Sequence, residues 1–350
     1  MRKAAVVGAG VIGKHHGKVI SQLADRIELV AVVDVIPEEA AELAAKHGGR
    51  AFQELGQAID TEDIDVVVVC TPTGKHGELA IEALEAGKHV IVEKPAEVTV
   101  ARTDEIIAAQ QKAGKLVTVI SQHRFDPSTE QVLGAIARGE LGRITSGIAS
   151  IDWWRGQSYY DSGDWRGTWA LDGGGALMNQ GVHTVDLLVA ALGNPVEVFA
   201  YTGTLAHQRI EVEDVAAAVV RFESGALGML HATTAAYPGL SARLQVHGDR
   251  GSAVIDNDQL VFFQVTAEGE NPQERLMGTN TAREVPTAGS DPGMLSDAHR
   301  SQYENFLAAL DGTEELRVDL VTNRRSIGVI TGVYESARTG KPVALDGGRQ

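Results

Sequence analysis

Over residues 1–122, short and nearly continuous apolar runs alternate with stretches whose apolar positions recur every three or four residues. "KAAVVG" (3–8), "IELVAVVD" (27–34), "IDVVVVCTP" (64–72), "HVIVEKP" (89–95) and "LVTVISQ" (116–122) are short and rich in β-branched residues, and predict strands. "VIGKHHGKVISQLA" (11–24), "PEEAAELAAKHG" (37–48), "HGELAIEALEAG" (76–87) and "ARTDEIIAAQQKAG" (101–114) predict helices between them. The second helix opens on proline and closes on glycine, the asymmetry that helix ends favour. Strands apolar on both faces need cover on both faces, so 1–122 reads as a doubly wound parallel sheet.

The pattern changes after Gln122. A helix is expected over roughly 127–139, and then the apolar positions alternate with polar ones. "RITSGIASIDWW" (143–154), "PVEVFAYTGTL" (195–205), "DVAAAVVRFES" (214–224), "LGMLHATTAA" (227–236) and "ARLQVHG" (242–248) predict strands with one solvated face. "FESGALG" and "HGDRGSAVID" read as hairpin turns. Residues 264–295 are polar and read as a long loop, followed by helices near 296–311 and 319–338. Residues 123–350 are thus expected to form an α+β domain on a mostly antiparallel sheet.

"GGGALMNQGVHTVDLL" (173–188) departs from both patterns. Three glycines open an apparent helix, and Asn179, His183 and Asp186 fall on one stripe at regular α-helical spacing. The neighbours are apolar almost all round, which predicts burial. A buried helix with an amide, an imidazole and a carboxylate in line is a candidate site. Asp186 either bonds the His183 ring or a substrate hydroxyl, or makes a structural hydrogen bond, which is the expected case.

Composition narrows the function classes. The chain has 350 residues, 43% hydrophobic and 22% charged, enough for two cores. Its formal charge of -16 argues against nucleic acid and anionic membranes as partners. One cysteine, Cys70, permits no internal disulfide and fits a reducing compartment. The start "MRKAAVVGAG" enters a strand at once, and no apolar run approaches the ~20 residues of a membrane span. A cytoplasmic protein acting on a small molecule is expected, with no metal.

"VVGAGVIGKHH" carries Gly8, Gly10 and Gly13 between a strand and a helix, the setting of a dinucleotide-binding turn. Gly8 allows the tight turn, Gly10 the approach of a pyrophosphate, and Gly13 close helix–strand packing. Val11 and Ile12 begin the helix whose N-terminus would face that anion. Asp34 stands where an acid would accept the ribose hydroxyls, and no arginine follows in "DVIPEE", which favours NAD over NADP. At strand carboxyl ends, Thr71, Pro72, Glu93, Lys94 and Gln122 are further cofactor candidates; His76 either joins them or only starts a helix. Lys94, in "EKP", is either an acid/base that exchanges a hydroxyl proton during hydride transfer or a salt-bridging lysine at a strand end. Whether Pro95 is cis is not written in the sequence.

"WWRGQSYYDSGDWRGTWALD" (153–172) holds all 4 tryptophans of a chain that is only 5% aromatic. Aromatic faces stack on sugar C–H faces, while carboxylates and guanidinium groups read hydroxyls. Trp154, Arg155, Asp164, Trp165 and Arg166 are expected to line a substrate pocket. Arg124 and Tyr303 are further candidates, as are His123 and His299; Arg124 either reaches the substrate or only braces the contact between the domains.

Together, "GAGVIG", "CTPTGKH", "EKP" and "GGGALMNQGVHTVDLL" resemble the glucose–fructose oxidoreductase / inositol dehydrogenase / rhizopine catabolism family (Gfo/Idh/MocA), over nearly the whole chain. The resemblance implies a Rossmann domain followed by a domain on a large open antiparallel sheet that often mediates homodimers or homotetramers. It implies NAD(P)-linked chemistry on sugars, inositols and their derivatives, with Lys94 matching the catalytic lysine and His183 the catalytic histidine. A Trp-Arg pair near substrate or nicotinamide matches Trp165 and Arg166. Many family dehydrogenases have Asp four residues before the histidine, where this chain has Asn179. An amide cannot accept a proton, so Asn179 is expected to orient a substrate hydroxyl. The expectation is an NAD-dependent dehydrogenase of a secondary hydroxyl on an inositol, sugar or sugar derivative. The alternatives are an NADP-linked keto-sugar or aldehyde reductase, a glycoside-modifying enzyme that uses NAD transiently, and a non-catalytic NAD-binding sensor.

Overall fold

The computed structural model describes residues 1–266 and 292–346 and, of 292–296, the backbone alone. The chain divides into two compact units. The first comprises Met1–Gln122, Ala170–Gly173 and Pro292–Arg324; the second comprises His123–Trp169, Gly174–Asp291 and Arg325–Gln350. A contiguous division at residue 122 therefore omits two later segments of the first unit.

Within the first unit the chain runs β1 (Arg2–Val7), α1 (Val11–Gln22), β2 (Ile27–Val33), α2 (Pro37–His47), β3 (Arg50–Phe52), α3 (Leu55–Thr61), β4 (Val66–Val69), α4 (His76–Glu85), β5 (His89–Val92), α5 (Val100–Ala113) and β6 (Val117–Val119). The strands form one parallel sheet in the order β3-β2-β1-β4-β5-β6. Val66–Val69 of β4 are all fully buried, as an apolar strand covered on both faces must be. The order reverses between β1 and β4, and ligands bind such sheets outside the carboxyl ends of strands at that reversal. Two elements were not predicted: β3 has only three residues and buries little, and α3 has seven. Both are too short to display a period.

The second unit contains α6 (Pro127–Ala137), β7 (Ile144–Asp152), α7 (Gln157–Tyr160), α8 (Val182–Leu192), β8 (Pro195–Gly203), β9 (Val215–Phe222), β10 (Leu227–Thr233), β11 (Ala242–Gly248), β12 (Gly251–Asp256) and β13 (Gln259–Val265). α9 (Pro292–Leu310), α10 (Leu320–Thr339) and β14 (Val343–Ala344) complete the described chain. Eight strands form a sheet in the order β13-β12-β11-β7-β10-β9-β8-β14, antiparallel except where β7 meets β10. Leu188 and Leu192 of α8 pack on one face with Val220, Phe222 and Leu230. The alternate strand positions face outward and are apolar in part, with Tyr201 71%, Val219 49% and Met229 54% exposed.

The loop expected at 264–295 is shorter at both ends. Gln264 and Val265 belong to β13 and α9 begins at Pro292, while residues 267–291 lie outside the described residues.

Candidate active site

The glycine turn after β1 is a cradle shaped for a dinucleotide. Gly8 has φ +99°, and a Cβ there would stand 2.7 Å from the Cys70 carbonyl oxygen. A Cβ on Gly13 would stand 1.8 Å from Gly8 O, so α1 can lie this close to the turn only with glycine. At Gly10 nothing lies within 4 Å of a Cβ. The α1 N-terminus has no side-chain cap and no acid in its first turn, which leaves its donors available to an anion. Asp34 is half-buried; its Oδ2 accepts from Ala9 N at 2.6 Å and its Oδ1 from Ile36 N at 2.9 Å. A carboxylate offers about four lone-pair sites, so capacity for ribose hydroxyls remains. Val11, Val35 and Ile36 are exposed apolar side chains around this turn, and the buried Thr71 hydroxyl has no protein partner. Open donors, an orphaned hydroxyl and bare apolar surface all fit NAD, held by the 8–13 turn with Asp34 and Thr71. Ile12 and Pro72 are half-buried beside it, Pro72 preceding the short turn Thr73–Lys75. Gln122 is buried at the end of the unit.

Lys94 follows β5 and is joined to Pro95 by a cis peptide bond. Glu93 is 5% exposed; its Oε2 accepts from Lys94 N at 3.0 Å and its Oε1 lies 2.9 Å from His16 Nε2. On the other side of that ring, Nδ1 lies 2.7 Å from the Tyr303 hydroxyl. Burial alone would raise the Glu93 pKa, but the His16 hydrogen bond and the charges of His16, His299 and Lys94 outweigh it and hold the group at about 2. The Lys94 backbone is thus fixed by a buried carboxylate that is itself fixed. Beyond the lysine, His76 places Nδ1 2.8 Å from Pro95 O and Nε2 2.8 Å from Thr71 O.

Two expectations are corrected by this geometry. Tyr303 is 1% exposed and engaged with His16, so it belongs to the core and cannot line a substrate pocket. His76 is 1% exposed with both nitrogens engaged, and it braces two loops instead of meeting a cofactor. Glu93 supports Lys94 through the backbone, with one protein partner on each oxygen.

In the second unit the expected single helix over 173–188 is broken. Ala176–Gln180 is a π-turn, closed by Gly181 N donating to Ala176 O at 2.9 Å, and α8 starts at Val182. The extra residue per turn rotates Asn179 away from the even stripe expected with His183 and Asp186. Asn179 and His183 are half-buried, whereas Asp186 is 2% exposed. Arg124 grips Asp186 with two bonds, Nε at 2.6 Å and Nη2 at 2.7 Å, and Ser326 adds a third at 3.1 Å. Asp186 is therefore a structural acid, as expected. Arg124 is its partner, with Nε and Nη2 both engaged on this carboxylate.

Near this turn, Glu213 is a residue that the sequence did not single out. Glu213, 3% exposed, accepts from Gly175 N (2.9 Å), Leu177 N (2.8 Å) and the Tyr334 hydroxyl (3.1 Å). Burial pushes its pKa up to about 7 against those bonds. The His123 ring meets the His183 ring edge-to-face at 5.1 Å. Its Nδ1 lies 2.7 Å from Asp126 Oδ2 and 3.2 Å from Asp258 Oδ1. Burial would lower the His123 pKa, but bonds to Asp126 and Asp258 outweigh it and raise it to about 10, so His183 has an imidazolium as neighbour. His123 had been only a loose candidate; its "HRFD" spacing to Asp126 was the available signal.

The aromatic stretch forms one cluster. Arg166 lies 4.4 Å from the ring centroids of both Trp165 and Tyr159, and Arg155 lies 5.3 Å from those of Trp153 and Tyr159. Arg155 Nη2 donates to Gln180 Oε1 at 3.1 Å, which ties the cluster to the π-turn beside Asn179. Trp154, 37% exposed, packs edge-to-face on Tyr237, and Asp164 is exposed. Among the described residues, no helix is long and apolar enough to cross a membrane.

Comparison with known proteins agrees with this layout. Residues 2–121 match the family model "Oxidoreductase family, NAD-binding Rossmann fold", and residues 129–254 match the "GFO/IDH/MocA C-terminal domain". Myo-inositol 2-dehydrogenase of Thermotoga maritima is 30% identical over 276 residues, covering 75% of this chain and 78% of that protein. Inositol 2-dehydrogenase of Rhizobium meliloti is 26% identical over 315 residues, covering 89% of each. The crystal structure of the WlbA dehydrogenase from Bordetella pertussis, in complex with NADH and UDP-GlcNAcA, superposes with a TM-score of 0.86 at 32% identity, covering 98% of both chains. The open glycine cradle, the doubly wound sheet and the eight-stranded second unit are those of an NAD-binding dehydrogenase, and this chain belongs to the Gfo/Idh/MocA oxidoreductase family.

Proposed function

We propose that this protein oxidises a secondary hydroxyl of a sugar, cyclic polyol or sugar derivative with NAD, using Lys94 as acid/base. Bound NAD would supply the hydride acceptor. The Lys94 amine takes the hydroxyl proton as the carbinol hydrogen leaves as hydride, so that an alcohol becomes a ketone. His183 assists by hydrogen-bonding the reacting oxygen, and Asn179 orients a neighbouring hydroxyl. Asp34 favours NAD over NADP, because a carboxylate at the ribose repels a 2′-phosphate. Val11, Ile12, Thr71, Pro72, Gln122 and Trp165 complete the proposed cofactor contacts. The first unit is the NAD-binding one and the second carries the substrate.

The observation that carries this reading is the anchoring of Lys94. A lysine with only a surface role would not need its own peptide held by a buried carboxylate backed by a buried histidine and tyrosine. Catalysis needs such fixed placement, since small displacements cost large factors in rate. The outward apolar positions of the second unit's sheet support assembly into a homodimer or homotetramer through that face. The 32% identity to WlbA over 98% of both chains favours a second, narrower reading in which the substrate is a nucleotide-linked sugar acid. The test is a screen of inositols, aldoses, anhydrosugars, uronic acids and nucleotide sugars for NADH formation. Turnover of at least one with NAD is expected; reduction of NADP in preference to NAD, or no turnover across the classes, contradicts the reading.

A further inference from the structure

Arg155 and Arg166 stand out against the charge of the chain. With 47 acidic and 31 basic residues, arginines have no shortage of carboxylates. Arg124 is paired with Asp186, Arg209 with Asp161 and Arg324 with Asp104. No ion pair involving Arg155 or Arg166 occurs among the described residues, although Asp164 is two positions from Arg166. Arg155 Nε is buried without a hydrogen-bond partner, and its one side-chain bond goes to the neutral Gln180.

Both guanidinium groups are nevertheless held in place. They share the Tyr159 ring, at 5.3 Å and 4.4 Å, and each also lies over a tryptophan. Stacking on rings fixes a guanidinium plane while leaving its N–H edge for a planar oxyanion. Tyr159 is pinned in turn, its hydroxyl accepting from Gln180 Nε2 at 2.9 Å. The Arg155 backbone is held on both sides: its N donates to Thr234 O at 2.9 Å, and its O lies 2.7 Å from His207 Nε2. His207 is braced by Asp214, whose Oδ2 is 2.9 Å from Nδ1. Two like charges gathered at one ring, one with an unmet buried donor, are costly without a counter-ion.

We propose that Arg155 and Arg166 form an anion subsite that recognises a carboxylate or phosphate group carried by the substrate. This rests on the reading of the second unit as the substrate-binding one. Gln180 links the subsite to the turn that carries Asn179, so the anion is read on the same molecule whose hydroxyl Asn179 would orient. The substrate class narrows from sugars in general to acidic ones, either a uronate or a sugar linked through a diphosphate.

The tryptophans in the cluster provide the readout. The full-length protein, with NAD present, is titrated by fluorescence with glucuronate against glucose and with UDP against uridine. Tighter binding of at least about tenfold is expected for one anionic member over its neutral counterpart. Preference for glucuronate assigns a carboxylate; preference for UDP assigns a phosphate. Arg155→Met and Arg166→Met are each expected to abolish that preference, and Arg166→Lys, which keeps the charge but not the fork, to retain part of it. Equal binding of anionic and neutral probes, or a preference that survives both Met variants, overturns the proposal. The binding readout separates this from the dehydrogenase reading. Oxidation of neutral sugars with no anion preference removes the subsite and leaves the dehydrogenase, whereas anion binding without NADH formation from any sugar does the reverse.

Discussion

Two glycine-led turns open helical segments in this molecule, one at Gly8–Gly13 and one at Gly173–Gly175, and they solve opposite problems. Both bring backbone into places where a side chain would collide. A Cβ would stand 1.8 Å from Gly8 O at Gly13, and 1.8 Å from Glu213 O at Gly175. At the first turn the donors of α1 meet no protein side chain, and Gly10 faces open space. At the second, Gly175 N and Leu177 N are already met by the Glu213 carboxylate. A helix start that exposes its donors invites an external anion, and one whose donors already have a partner is closed to it. The same residue type thus marks a turn with open donors in one unit and a turn with satisfied donors in the other.

The sharpest way to break this comparison is to add the missing methyl groups. Gly13→Ala and Gly175→Ala each force backbone apart, and each is expected to lower stability by about 1–3 kcal/mol or more in urea denaturation. Native stability for either variant would show that the close approach does not matter. Gly10→Ala separates the two turns. Its Cβ meets nothing within 4 Å, so unfolding without NAD should stay near wild type. NAD affinity measured by calorimetry should fall at least about tenfold, ~1.4 kcal/mol, as the methyl blocks the pyrophosphate. Unchanged affinity would detach the turn from the cofactor.

The smallest effect concerns the buried carboxyl group of Glu213. The Glu213 pKa rises from 4.5 to about 7 on folding, so the folded state binds that proton more tightly than the unfolded one. Its contribution is fully present below pH 4.5 and is lost as pH rises through about 7. Glu213→Gln should remove that slope from stability measured between those limits. A wild-type slope retained in the variant would place its origin elsewhere.

Much of the first unit was legible because its signals are local. The glycine turn, Asp34 and Lys94 can each be placed from the strand that precedes them, and the parallel sheet follows from apolar runs. What supports them was not legible. Tyr303 meets His16 from 287 residues away, and nothing near position 303 distinguishes a core tyrosine from a pocket one. Glu213 reaches Gly175 across 38 residues. The π-turn was hidden for a different reason: a stripe drawn at regular spacing assumes the geometry that the turn violates. In the second unit the sheet was readable from alternation, but β13, all seven residues of which are half-buried, shows no clean alternation and was missed.

The central claim is that Lys94 moves the hydroxyl proton during NAD-dependent oxidation. The direct measurement is Lys94→Met, assayed for NADH formation on the best substrate from the screen, with NAD binding followed in parallel by calorimetry. The account predicts a fall in kcat of roughly 10²–10⁴-fold with NAD still bound. Wild-type turnover by the NAD-bound variant would contradict it.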